Sequence, residues 1–270
     1  MRKKGVNNNF SVTDKVIVIT GGYGLLGKQF AQSLADEGAK VVITGKDFNK
    51  AKKIAHKVNA WACQLDVSIK ESVIFAVNNI LNEFGVIDGL VNNASFSSPV
   101  DGNNNFISFE NISERSLEQS IAVDLKGTFL CCQLIGNEMV KNAGGSIINI
   151  SSIYGTVAPD QRIYKSIQDK NGNSFIKPAS YCAVKSAILN LTRYLAVYWA
   201  NKNIRVNTLT LGGVYDSQSQ EFVQSYCERT PLNRMANSDE YNGAIQFLLS
   251  NASSYMTGAN LVIDGGWTAW

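Results

Sequence analysis

From Lys15 onward the chain alternates short β-branched runs with longer helical patterns. That rhythm restricts it to parallel βαβ units, because two parallel strands need a long crossover and a helix supplies it. KVIVIT is followed by GLLGKQFAQSLADEG, then KVVITG, a lysine-rich helix and AWACQLDV. The pattern predicts a helix over IKESVIFAVNNILNEF, opened by a capping box of Ser68 and Glu71 and closed by Gly85 before VIDGLVNNA. A further helix is expected from Ser113 to Gly127. Later strands read as GSIINIS, IRVNTLTL and ANLVID, which makes seven in all. At 270 residues and 45% hydrophobic composition the chain can bury an ample core, and no linker or internal repeat divides it. The expected fold class is therefore α/β, a single doubly wound domain over 14–270 with a seven-stranded parallel sheet, preceded by a flexible start at 1–13.

Charge and residue usage exclude several classes of function. The formal charge is only +3 and the lysines are scattered, so the concentrated basic face needed for nucleic acid is missing. MRKKGVNNNF begins basic but runs into asparagines rather than an apolar stretch, and nothing in the sequence has the length to span a membrane. A cytoplasmic protein is expected. Five cysteines at 63, 131, 132, 182 and 227 show no Cys-x-x-Cys spacing, which argues for reduced thiols, with Cys131 and Cys132 packing in the core. The single histidine, His56, falls in the charged segment NKAKKIAHKVN, on a solvated helix face. Hydrolases that pair a nucleophile with a His base, and His-based metal sites, have nothing else to draw on.

Two constellations carry chemistry. TGGYGLLG follows the first strand and opens a helix, with Gly21 permitting the turn and Gly24 and Gly27 letting backbone and helix approach a pyrophosphate. Tyr181 and Lys185 stand four residues apart in SYCAVKSAILNLTRYLA, a spacing that stacks phenol and ammonium on one helix face. A cation beside a phenol favours the phenolate and makes it a usable proton donor near neutral pH. Either motif alone could be structural; their occurrence in one βαβ chain points to a nucleotide cofactor with a proton-handling pair.

The motifs in their order resemble the short-chain dehydrogenase/reductase family from about Thr13 to Asp264. The resemblance implies a Rossmann-type sheet. It also implies a cofactor turn at Gly21, Tyr23, Gly24, Leu26 and Gly27, an adenine contact at Asp66 and Val67, and a fourth-strand motif at Asn92, Asn93, Ala94 and Ser95. INISSIYG would carry the catalytic serine at Ser152, although Ser151 beside it offers the same group. Tyr181 would exchange the substrate hydroxyl proton, and Lys185 would assist it and hold the nicotinamide ribose. Val214 would offer backbone contacts to the carboxamide, and LVIDGG is the family's usual ending. The implied activity is NAD(P)-dependent hydride transfer between a nicotinamide and a carbonyl or secondary alcohol. Homodimers or homotetramers, built through helices that include the one bearing Tyr181, are common in the family.

Three positions depart from the family pattern. Leu25 replaces a glycine, so the turn looks more like that of the longer sugar epimerase and dehydratase branch. Asp124 in VDLKG replaces the asparagine of the catalytic relay, either strengthening the Lys185 ion or disturbing the relay. LGG at Leu211 to Gly213 lacks the usual proline. At the end of the second strand, ITGKD, Gly45 offers no carboxylate to a ribose and Lys46 follows, which favours NADP over NAD, with a solvated lysine as the alternative.

The expected substrate is a small molecule, a sugar or sugar derivative, phosphorylated or nucleotide-linked. SSIYGTVAPDQRIY and DGGWTAW are similar to bacterial reductases of surface-polysaccharide synthesis and flagellin glycosylation. Ser152 and Tyr181 are twenty-nine positions apart, which suggests a substrate-loop insertion around 158–180. Arg162, Lys165, Lys170 and Lys177 outnumber Asp160 and Asp169 there, so Arg162 and Lys165 are expected to hold a phosphate while Tyr164 and Phe175 give apolar contact. A solvated basic loop is the competing reading. Two other functions use the same residues: a cofactor-binding scaffold without turnover, and an epimerase or dehydratase that retains its cofactor.

Overall fold

The computed structural model describes residues 9–96, 108–142, 144–169 and 171–270. Seven strands are formed: β1 (Val16–Ile19), β2 (Lys40–Gly45), β3 (Trp61–Gln64), β4 (Gly89–Asn92), β5 (Gly145–Ser152), β6 (Ile204–Leu211) and β7 (Asn260–Ile263). They make one sheet in the order β3-β2-β1-β4-β5-β6-β7, and every neighbouring pair is parallel. Central strands covered on both faces must be apolar throughout, and VIVI of β1 is buried at every position. The order reverses between β1 and β4, so their carboxyl ends flank the crevice where doubly wound sheets bind ligands.

The helices sandwich this sheet. On one face α1 (Leu25–Asp36), α2 (Phe48–Lys57) and α8 (Asn242–Leu249) bury Phe30, Leu34, Ala51, Ala55, Ile245 and Leu248 against β1, β2 and β6. On the other, α3 (Lys70–Phe84), α5 (Thr128–Lys141) and α6 (Ala179–Tyr198) pack Val73, Ile80, Ile135, Met139 and Leu195 against β1, β4 and β5. A third cluster lies outside the sandwich, where Tyr154, Tyr164 and Phe175 meet Phe222 and Tyr226 of α7 (Gln220–Cys227). It covers the carboxyl end of β5.

Three local expectations need correction or refinement. Ser68 does not cap α3: Ile69 holds the N-cap position without a side-chain bond, and the Ser68 hydroxyl instead donates to Asp66 Oδ1 at 2.6 Å. That short bond to a carboxylate, together with Ser68 N donating to the same oxygen at 2.9 Å, ties Ser68 to Asp66 rather than to the first turn of α3. Gly85, with φ of 74°, does close the helix. Ser113 caps α4 (Glu114–Ser120), but the helix runs past Gly127, through a π-helical segment at Ile121–Gly127 and into α5. Gly127 acts there as a close-packing residue rather than a stop, since a Cβ on it would stand 2.7 Å from Val67 Cγ2. Finally, the chain is fastened from Asn9 onward: Asn9 C=O accepts from Ala252 N, Phe10 packs on Phe247, and Val12 is fully buried. The remainder of the expected flexible start, residues 1–8, lies outside the described residues, as do the asparagine run at 103–105 and Lys170.

Candidate active site

The turn after β1 is shaped by two glycines that no other residue could replace. Gly21 has φ of 61°, and a Cβ on it would meet Ala94 Cα at 2.9 Å. A Cβ on Gly27 would lie 2.6 Å from Gly21 O and 2.7 Å from Gly22 Cα, backbone atoms that cannot yield. Gly27→Ala is accordingly expected to cost about 1–3 kcal/mol by overpacking, read as a lower midpoint of thermal unfolding. An unchanged midpoint would show that the turn relaxes freely. Asn93 braces the same turn, donating Nδ2 to Thr20 O and Gly21 O at 3.1 Å each. Gly24 is the N-cap of α1, with no side-chain cap and no acid in the first turn. The positive end of α1 is thus left for an anion, and a dinucleotide pyrophosphate fits this cradle.

Beside the turn, a cavity of about 330 Å³ is lined by Gly21, Tyr23, Lys46, Asp66, Val67, Ala94 and Ser95. They bring together the expected adenine contact, Asp66 and Val67, with Lys46 and with parts of the glycine turn and the fourth-strand motif. The Tyr23 ring lies over Gly45, where a Cβ would come within 2.2 Å of it. Lys46 is exposed at the rim, and its neighbour Asp47 is occupied in capping α2, accepting from Lys50 N at 3.0 Å. Asp47 is thus engaged with Lys50 rather than with Lys46.

Ser95 also lines a second cavity, of about 900 Å³, together with Leu26, Asn93, Ser152, Tyr181, Lys185 and Val214. Helix α6 carries Tyr181 and Lys185 one turn apart on the face turned to β5, with Lys185 Nζ 5.7 Å from the Tyr181 ring centroid. Lys185 is 4% exposed and Asp124 1%. Lys185 Nζ pairs with Asp124 Oδ1 at 3.2 Å and donates to Ile150 O at 3.3 Å. Asp124 also accepts from the Ser95 hydroxyl and, at 2.9 Å, from Phe96 N. A buried ion pair needs its remaining lone pairs satisfied, and both carboxylate oxygens are. Of the two readings left open at Asp124, the geometry is that of an anchor for the Lys185 ion. The π-helical turn puts Asp124 in reach, a common use of that distortion.

Ser151 and Ser152 separate cleanly. The Ser151 hydroxyl is spent on Lys185 O at 2.9 Å, whereas Ser152 Oγ accepts from Tyr154 N at 3.2 Å and keeps its own proton to donate. Asn92 does not reach the cavity; its Nδ2 donates to Asn149 Oδ1 at 2.8 Å in a buried polar chain that continues to Thr192. Cys131 and Cys132 pack in the core, and burial pushes the Cys132 thiol up to about 12. His56 is exposed on α2.

The expectation for Arg162 and Lys165 is revised: both are exposed and neither lines the cavity. Asp160, two residues before Arg162, captures its guanidinium bidentately at 2.8 Å through both Nε and Nη2. Asp160 also takes Arg229 Nε, which ties the insertion to the end of α7, and the Arg162 bonds hold its carboxyl well below the usual carboxylate range. Tyr164 and Phe175 do line the cavity. So does Lys177, whose Nζ stands 4.0 Å from the Tyr181 ring centroid. The spacing Lys177, Tyr181, Lys185 was readable as i−4 and i+4. Tyr226 gave no such signal: its hydroxyl accepts from Gly213 N, its ring stacks on Trp267 at 4.5 Å, and burial pushes its phenol up to about 12.

Known proteins share this architecture end to end. The family profile described as enoyl-(acyl carrier protein) reductase matches residues 25–268. NAD-dependent glycerol dehydrogenase of Listeria innocua serovar 6a is 31% identical, with 99% of each chain covered. Post-translational flagellin modification protein A of Campylobacter coli is 29% identical over 94% of this chain and 98% of that one. The crystal structure of a gluconate 5-dehydrogenase from Burkholderia cenocepacia J2315 in complex with NADP and tartrate superposes with a TM-score of 0.84 at 27% identity, covering 97% of this chain and 98% of that one. With the glycine turn, the parallel order and the Tyr181–Lys185 pair in one frame, the chain belongs to the short-chain dehydrogenase/reductase family and is an NAD(P)-dependent oxidoreductase.

Proposed function

We propose that the protein interconverts a secondary alcohol and a carbonyl on a polyhydroxylated substrate, a sugar or sugar derivative. One observation carries this: Ser152, Tyr181 and Lys185 line a single cavity that continues to the glycine turn. When bound, the nicotinamide ring supplies or accepts the hydride. Ser152 donates its unspent proton to the substrate oxygen and so fixes that oxygen beside Tyr181. Tyr181 gives its proton to the same oxygen in reduction and takes it back in oxidation. Lys185, pinned by Asp124 and Ile150 O, presents its ammonium to the Tyr181 side of the cavity. Tyr154, Tyr164, Phe175 and Phe222 close the far wall and exclude water from the reacting carbon.

The glycerol dehydrogenase and the flagellin modification protein support a polyol or sugar as substrate, and the absence of Arg162 and Lys165 from the cavity wall weighs against a phosphate held there. A cofactor-reduction assay across polyols, sugars, sugar phosphates and nucleotide-linked sugars tests the reading. Reduced cofactor released into solution separates it from an epimerase or dehydratase, which would retain it. Failure to release any with the whole panel would reject it.

For the cofactor we favour NADP, because Lys46 faces the adenosine cavity and Asp47 is engaged on α2. Lys46→Glu is expected to erase or reverse that preference by roughly tenfold, since a carboxylate would repel the 2′-phosphate, and added salt should shrink the effect. Titrating both cofactors decides it; tighter NAD binding by the unaltered enzyme would sink the preference. A homodimer or homotetramer is supported by Tyr194, Val197 and Tyr198, which stand 63%, 81% and 63% exposed on α6. The five free cysteines suit a reducing, cytoplasmic setting, and among the described residues no helix is long and apolar enough to cross a membrane.

A further inference from the structure

Lys177 is an uncompensated cation built into the wall of the reaction cavity. Its main chain is clasped at two points by one side chain: Lys177 N donates to Gln161 Oε1 at 2.9 Å, and Gln161 Nε2 donates to Lys177 O at 3.2 Å. Pro178 follows at once as the N-cap of α6, so the backbone that carries the ammonium is fixed at the helix entrance. The side chain turns inward, half-buried, over the Tyr181 ring. No carboxylate lies within ion-pair distance of it among the described residues, whereas Lys185, the other cation lining the cavity, is paired with Asp124. Among the described residues of the lining the one acid, Asp216, is exposed.

The lining of the same cavity also holds O–H donors. Ser152 keeps its proton, and Tyr154 and Tyr164 share a single hydrogen bond of 2.9 Å between their hydroxyls, which leaves one of those two protons unspent. Burial keeps both of these phenols protonated, Tyr164 well above its ordinary range. A wall with one free ammonium and a leftover phenol proton beyond the Ser152 hydroxyl is complementary to a monoanion, whose acceptors would use what the protein leaves unused. A phosphate dianion is ordinarily met by more than one cation or by a guanidinium fork, and Arg162 is committed to Asp160 outside the cavity.

We propose that Lys177 selects a substrate carrying a carboxylate close along the chain to the reacting carbon, a sugar acid or short polyhydroxy acid rather than the neutral polyol. This rests on the hydride-transfer reading above and narrows its substrate class. The ammonium pairs with the substrate carboxylate while Ser152 and Tyr181 hold the reacting oxygen, so the pairing sets which end of the substrate enters first. Lys177 is a specificity residue in this arrangement and takes no part in proton transfer.

The test compares matched pairs: four- to six-carbon aldonates (threonate, xylonate, gluconate) against their alditols, with NADP, for the unaltered enzyme, Lys177→Met and Lys177→Arg. The expected result is a preference for at least one aldonate over its alditol in kcat/KM. Lys177→Met should erase it by raising KM for the acid on the order of tenfold to a hundredfold. Cofactor affinity should hardly move, the alditol should lose far less than the aldonate, and Lys177→Arg should keep most of the preference. Turnover of alditols or of sugar phosphates in preference to every aldonate would overturn the inference and leave the hydride-transfer reading standing. So would an equal loss of kcat on acid and neutral substrates in Lys177→Met, or a displaced pH profile with KM unchanged, since either marks a role on Tyr181. If no pair is turned over, calorimetric titration of the aldonates into the NADP complex takes over. Binding that is lost in Lys177→Met supports the anion site while counting against the reading of the reaction; no binding at all rejects the site.

Discussion

Replacing Tyr181 by phenylalanine is expected to lower kcat by about 10²–10⁴-fold while cofactor affinity stays within about twofold. The substitution removes one oxygen and its exchangeable proton. It leaves the ring over which Lys177 and Lys185 stand, at 4.0 and 5.7 Å from its centroid, so the cavity wall keeps its shape. Ser152 can still hold the substrate oxygen, and Asp124 and Ile150 O still fix Lys185. What disappears is the group that supplies a proton as the carbonyl oxygen gains charge. Steady-state kinetics with a cofactor titration separates the two quantities. A variant that kept most of its kcat would move the proton donor elsewhere in the cavity, and one that lost cofactor affinity in parallel would make Tyr181 a binding residue.

The sheet and its cofactor end were legible in the sequence because their constraints are local. β-branched runs must be strands, glycines must occupy a turn that approaches Ala94 and its own backbone, and helical spacing must stack Tyr181 on Lys185. Features that depend on competition between neighbours were not legible in the same way. Ser68 has the right spacing to cap α3, yet Asp66 takes its hydroxyl. Gly127 reads as a helix stop, yet it marks where Val67 needs room. Arg162 reads as a phosphate clamp, yet Asp160 two residues earlier already fills its fork, and Lys177, counted among the same cations, turns inward over Tyr181. A sequence position states what a side chain could bind; which partner wins depends on distances that only the folded chain sets. The third cluster, where Phe222 and Tyr226 arrive from far along the chain to close the cavity, is of this second kind.

Asp124→Leu is expected to destabilise the protein by about 3–5 kcal/mol, more than any surface substitution would, because it strands a buried charge. Leucine has the same branched shape with bulkier methyls in place of the oxygens, so no cavity is left and some overpacking adds to the loss. The main loss comes from Lys185, which would keep only Ile150 O at 3.3 Å, and from Ser95 Oγ and Phe96 N, which would lose their acceptor. Asp124→Asn restores the residue usual in the family, retains an acceptor for Phe96 N, and should fall between the two. The decisive comparison is the double variant Asp124→Leu, Lys185→Met: with both charges removed, the share of the loss due to the orphaned ammonium should return, while the cost of the two donors at Ser95 and Phe96 stays. Chemical denaturation of the four proteins gives the cycle directly. Equal and additive losses from the two single substitutions would mean that the pair is not coupled, and that Asp124 stands in this site as a hydrogen-bond acceptor alone. A strong coupling instead identifies what the departure from asparagine accomplishes here: a fixed negative charge, carried on the π-helical stretch at Ile121–Gly127, holds the Lys185 ammonium at 3.2 Å in a site otherwise too dry to keep it.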